Sequence, residues 1–279
     1  MAIGQLSTGP KKDQEEPELL DEGMTFWEHL DELRSRLVKI VLAALVGALA
    51  AWFFREQVLS WLVAPFTSAW EMNGFAERPQ LHFPNPAGLF IAYLKISIIA
   101  GAVMAMPIIF YQIWAFIAPG LYSREKRYAI PFVVASTGLF VGGAYFGMKV
   151  AFPLAFRYLL SYAGDLPEFD IKPTIMVDEY VGFISRMLLA FGAVFELPVL
   201  VFFLSVAGLV NHRHLIKFFR YFVVISFVLG ALLTPPDLLS QFLLAIPLCG
   251  LYGISIGIAW IFARKREKEA TADDDKNGG

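Results

Sequence analysis

Six runs of mainly apolar residues dominate the chain, at about 37–54, 88–116, 130–152, 180–207, 218–234 and 238–262. A helix needs roughly 17–25 such residues to cross a hydrocarbon core of about 30 Å. In that solvent every backbone N–H and C=O must find a partner within the protein, so long apolar runs become spanning helices. Of the 279 residues, 57% are hydrophobic and 17% charged, where a soluble domain carries about 25% charged. The chain is too apolar for a water-facing globule. The pattern predicts an all-α membrane protein with six transmembrane helices.

The fifth run is barely long enough to cross, and Thr234-Pro235-Pro236-Asp237 separates it from the sixth. Two consecutive prolines remove two helical N–H donors, so the turn must be tight and the short fifth and sixth helices form a hairpin. Orientation follows from the cations. Sixteen Lys and Arg fall on the side that holds both tails, the second-to-third loop and the fourth-to-fifth loop, and four on the other side. The positive-inside rule then places the N- and C-termini in the cytoplasm.

Three regions result: a hydrophilic acidic tail at 1–24, a transmembrane domain at 25–262, and a charged, disordered tail at 263–279. The first tail lacks the basic start of a cleavable signal peptide. The loops at about 55–87 and 153–179 are long and proline-bearing, with Pro65 in the first. Glycine pairs 138/142, 143/147 and 253/257 suggest close helix contacts. Cys249, alone in an apolar run, excludes a disulfide framework. All four histidines lie outside the spans, so there is no intramembrane Ser–His dyad and no zinc-binding helix. Neither an enzyme, a cofactor site nor a nucleic-acid surface is expected.

Polar residues at unusual positions carry the functional reading. Thr25 with Glu28 forms a capping box, so a helix starts there and runs into the membrane. Phe26, Leu30, Leu33 and Leu37 form its apolar stripe, while Glu32 and Arg36 stand at i, i+4 in the order that favours an ion pair. Glu125 is a second carboxylate at that end, in a loop rich in cations and introduced by Phe116 and the Pro119-Gly120 turn. Within the fourth span, Glu196 lies about 24 Å along its helix. An ionisable group at such depth is costly, so a functional site is the default reading. Pro198 should free the Val194 carbonyl beside it. Asp237 reads as the N-cap of helix six. Thr234 and Gln241 are polar points at which another transmembrane helix could hydrogen-bond.

Five stretches in order resemble one family. They are Phe26-Trp27-Glu28-His29-Leu30-Asp31-Glu32-Leu33-Arg34-Ser35-Arg36, Ala64-Pro65, Tyr111 to Tyr122 with Glu125-Lys126-Arg127, Phe195-Glu196-Leu197-Pro198, and Leu233-Thr234-Pro235-Pro236-Asp237. Together they resemble the TatC family, the large subunit of the twin-arginine protein translocase. The resemblance implies a receptor for signal peptides bearing two consecutive arginines, driven by the proton-motive force in a bacterial inner membrane. It implies that Glu32 and Glu125 meet those arginines, with Arg34, Arg36 and Phe116 shaping the site. Since Glu32 has a local partner in Arg36, an exchange of partners on binding is expected. Glu196 would face a partner helix or water during transport, and Thr234, Gln241 and Asp237 would mark the site of single-span TatA- and TatB-type subunits. Pro65 would belong to a functional outer loop, and self-association in a larger complex is expected. The alternative is a secondary transporter of a small solute built around Glu196.

Overall fold

The computed structural model describes residues 26–75, 77–117, 129–165, 170–171, 173–206, 209–234 and 237–277. Helix α1 (Phe26–Phe53) starts one residue after Thr25 and turns at Phe54 into α2 (Arg55–Met72). The second span is a broken rod, α3 (Gly88–Met104) followed by α4 (Met106–Ile117), bent by 54°. Pro107, just inside α4, can donate no bond back to α3, which accounts for the break. The third span joins α5 (Ala129–Phe146), a π-helical turn (Gly147–Ala151) and α6 (Phe152–Leu160). The fourth joins α7 (Val177–Phe195) and α8 (Leu197–Val206). A hairpin of α9 (His212–Leu233) and α10 (Leu238–Asn277) completes the chain.

Five helices are long and apolar enough to cross a membrane, and the bent α3–α4 pair makes six. The last two are the shortest of the continuous spans, 22 and 24 residues against 27 to 31 for the others. Helix α9 begins six residues before the predicted run, extending through Arg213 and Lys217. Helix α10 likewise continues to Asn277, past the apolar boundary at 262.

The loop expected over 55–87 is largely a helix. Pro65 lies inside α2, where a loop had been read from the prolines. The missed signal is Leu62, Phe66 and Ala69, an i, i+4, i+7 stripe that is fully buried. It faces a core of Phe152, Phe156, Tyr180 and Phe191 from α6, the π turn's edge and α7. The Tyr180 hydroxyl donates to the Leu62 carbonyl at 2.8 Å, one turn before Pro65. Two residues of each long loop also pair: β1 (Leu81–His82) runs parallel to β4 (Ile175–Met176). A short antiparallel pair, β2 (Gly164–Asp165) with β3 (Asp170–Ile171), lies in the second loop.

Backbone contacts at glycine fix the bundle. A Cβ on Gly101 would lie 2.1 Å from the Ala48 amide nitrogen, so α1 and α3 cross backbone to backbone. A Cβ on Gly143 would lie 2.5 Å from the Phe191 carbonyl oxygen, which joins α5 to α7. The pairs 138/142 and 253/257 face open space, so of the three predicted glycine pairs only 143/147 is a packing contact.

Candidate functional site

At the end of the bundle opposite α2, α1 lies against α4. At 1.5 Å per residue α1 is about 42 Å long, so its first turns extend beyond a hydrocarbon core of about 30 Å. Those turns carry His29, Glu32 and Arg36, spaced i, i+3, i+7 on one face. Helix α4 answers with Gln112 and Phe116, an i, i+4 pair. The 54° bend before α4 sets the direction in which this second pair is presented.

Arg36 Nε donates to Glu32 Oε1 at 2.9 Å, and Arg36 Nη2 donates to the same oxygen. The predicted ion pair is therefore present. Arg36 Nη1 donates to Gln112 Oε1 at 3.3 Å, tying the pair across to α4. His29 stacks on Phe116 with ring centroids 4.3 Å apart and an interplanar angle of 23°. Its Nδ1 lies 3.9 Å from Glu32 Oε2, an oxygen that is buried and accepts no hydrogen bond from the described residues. The Glu32 carboxylate is thus used on one side and idle on the other.

The structure brings Glu32, Arg36 and Phe116 together. Arg34 is exposed and stands about 200° around the helix from Glu32, so it is not part of this cluster. Glu125 lies outside the described residues. Sequence reasoning missed His29 and Gln112. Both were legible in principle, His29 as the residue one turn before Glu32 and Gln112 as the only amide in an apolar run.

Glu196 occupies the junction of α7 and α8, half-buried and facing the Ser136 hydroxyl and the Phe140 backbone of α5. Among the described residues, neither its Oε1 nor Ser136 Oγ, both buried, completes a hydrogen bond. The Val194 carbonyl, expected to be free, accepts an N–H of the cap turn, so its place as polar neighbour falls to Ser136. Beyond this junction α8 packs mainly on α10 and only lightly on α5. The gap is an apolar cavity of about 370 Å³ lined by Phe132, Leu139, Pro198, Phe202, Phe203 and Ile258, among others.

In the hairpin, Asp237 Oδ1 accepts the Ser240 amide at 2.8 Å, the N-cap read from the sequence. Gln241 Nε2 donates to the Phe227 carbonyl at 2.8 Å, and Thr234 Oγ1 donates to the Gly230 carbonyl at 2.9 Å. Gly230 permits this approach: a Cβ there would sit 3.0 Å from Gln241 Cγ. The donors of Thr234 and Gln241 are therefore engaged inside the hairpin. Pro65 is buried in α2, at the other end of the molecule from Glu32. Among the described residues there is no group of His, Cys, Asp and Glu that could hold a metal ion.

A family model for TatC, Sec-independent protein translocase protein, matches residues 28–247. The chain belongs to the TatC family. It is 40% identical over 258 residues to the Sec-independent protein translocase protein TatC of Desulforapulum autotrophicum, covering 91% of this chain and 92% of that one. It is 38% identical to the TatC of Aquifex aeolicus over 245 residues, 88% of this chain and 98% of the relative. The crystal structure of a twin arginine translocase receptor, TatC, superposes with a TM-score of 0.73 at 38% identity, covering 85% of this chain and all of that one. This TatC chain is a multi-pass subunit of a bacterial protein translocase and not an enzyme. Family membership displaces the small-solute transporter as the reading of Glu196.

Proposed function

We propose that this TatC chain is the receptor for twin-arginine signal peptides, and that Glu32 and Glu125 bind the two guanidinium groups on the cytoplasmic face. One observation carries the reading. Glu32 is held by Arg36 through a single carboxylate oxygen, beside an aromatic face, where the first helix leaves the membrane. A guanidinium bonds carboxylate in a planar fork and stacks on aromatic rings, which an ammonium does not reproduce. The excess of Lys and Arg on this side supports cytoplasmic termini in the inner membrane.

The hairpin is the proposed seat of single-span TatA- and TatB-type partners. Its polar residues are turned inward, so Thr234, Gln241 and Asp237 act by fixing the shape of the α9–α10 face. Glu196, at the mouth of an apolar gap, is proposed to meet a partner helix or water during transport energised by the proton-motive force. Pro65 sets the packing of α2, and copies of the chain associate in a larger complex. The acidic tail at 1–24 and the charged segment at 263–279 stay outside the bilayer.

The test is binding of a twin-arginine signal peptide, beside a twin-lysine version, to membranes containing the full chain. Strong arginine preference is expected. Glu32→Ala and Glu125→Ala should each weaken binding by about 10- to 100-fold, the worth of a charge-assisted hydrogen bond. Equal binding of both peptides, untouched by either substitution, would overturn the assignment.

A further inference from the structure

We infer that His29 is a resident placeholder for a substrate guanidinium, stacked on Phe116 and aimed at the idle oxygen of Glu32. The inference rests on the receptor reading and names the step by which that site opens. A bound arginine needs an aromatic face to lie on and a carboxylate oxygen at its edge. Both are present, and a ring already fills the space between them. The His29 imidazole lies 4.3 Å from the Phe116 ring, nearly parallel to it, with Nδ1 3.9 Å from Glu32 Oε2.

This geometry changes which partner leaves. Arg36 is attached by two bonds to Oε1 and by a third to Gln112 on the neighbouring helix. His29 is held by a stack and by a long 3.9 Å approach to Glu32 that becomes an ion pair only with a protonated ring, and its side chain is 45% exposed. The weaker resident is the one an incoming arginine displaces. Its departure uncovers Oε2 and Phe116 together, while Arg36 stays and holds the carboxylate in position.

Protonation opposes this step. The contacts around His29 bring in Glu32 and, beyond it, Arg36 from α1, and the uncharged Phe116 and Gln112 from α4. An imidazolium would pair with Oε2 and repel the incoming guanidinium. Signal-peptide affinity should therefore be lower when the imidazole carries a second proton than when it is neutral.

The experiment uses the full chain in lipid nanodiscs and a synthetic twin-arginine signal peptide, with affinity measured from pH 5.5 to 8. His29→Ala should bind about three- to tenfold more tightly at pH 5.5 and lose most of the pH slope. His29→Gln, which keeps a planar group but cannot take a charge, should lose the slope with a smaller gain. Weaker binding by His29→Ala, or an unchanged slope in both variants, would overturn the placeholder role. Glu32→Ala separates the two ideas. If it abolishes binding while the His29 variants keep the wild-type profile, the gate fails and the receptor site stands. If it leaves binding intact, both fall.

Discussion

The two ends of this TatC bundle are built in opposite ways. Around α2, Phe66, Phe152, Phe191 and Ile184 are almost completely buried, and paired strands tie the two long loops together. At the end where α1 enters, α8 touches α5 only lightly, an apolar gap of about 370 Å³ opens, and a carboxylate oxygen accepts no hydrogen bond from the described residues. Close packing makes one end resist deformation, because a dense interior transmits displacement instead of absorbing it. The other end keeps unused polar groups and open volume, as the proposed peptide-binding surface would need. The closed end is thus a frame on which the open end can rearrange.

The strongest way to break this picture is to detach the two. Gly101 is where α3 meets α1, the helix that carries Glu32, and a Cβ there would sit 2.1 Å from a backbone nitrogen. Backbone cannot rotate away as a side chain does, so Gly101→Val should exceed the usual 1–3 kcal/mol (roughly) of overpacking and abolish monodisperse protein. Gly142→Val, whose Cβ meets nothing within 4 Å, should purify and melt as the native chain does. Equal behaviour of the two variants would mean the α1–α3 crossing is not the joint between frame and site.

A second pair sharpens the asymmetry itself. Phe66→Ala removes a ring with no exposed surface and should cost about 3–5 kcal/mol, read as a large fall in melting temperature in detergent. Phe203→Ala enlarges a gap that already exists, and its ring meets Phe132 edge-on at 4.6 Å and its neighbour Phe202 at 5.3 Å. It should cost under about 1.5 kcal/mol. Comparable losses would refute the division into packed and open ends.

Legibility in the sequence follows the same division, though not in the direction one would guess. The spans were readable because a bilayer turns long continuous apolar runs into helices, and Glu32 with Arg36 because i, i+4 spacing fixes a contact within one helix. Asp237 was readable for the same local reason. Helix α2 was missed although Leu62, Phe66 and Ala69 belong to the larger buried core. Its evidence is a buried stripe of three residues interrupted by Pro65, and proline is ordinarily a breaker. Apart from the 143/147 glycine pair, contacts between helices were not legible. Nothing in the order of residues says that Gln112 reaches Arg36 or that Phe116 lies under His29, because both depend on the 54° bend before α4. Glycine pairs misled for a related reason. Spacing shows which glycines share a face, and only the fold shows whether another helix covers that face.

The smallest expected effect tests where the hairpin belongs. Its turn joins the helices at the α2 end, yet α9 packs mainly on α10. Asp237 caps α10 through the Ser240 amide, and Gln241 one turn later bonds the Phe227 carbonyl of α9. If the hairpin behaves as part of the frame, Asp237→Ala should cost only the ordinary price of an N-cap, about 1 kcal/mol, with a correspondingly small shift in melting temperature. Asp237→Asn, which keeps the accepting oxygen, should restore most of that loss. Signal-peptide affinity at Glu32, on the far end, should not move in either variant, because the cap lies in the region that packing holds fixed. A change in peptide affinity without a change in stability would show the opposite: a turn at the closed end that is coupled to the open one.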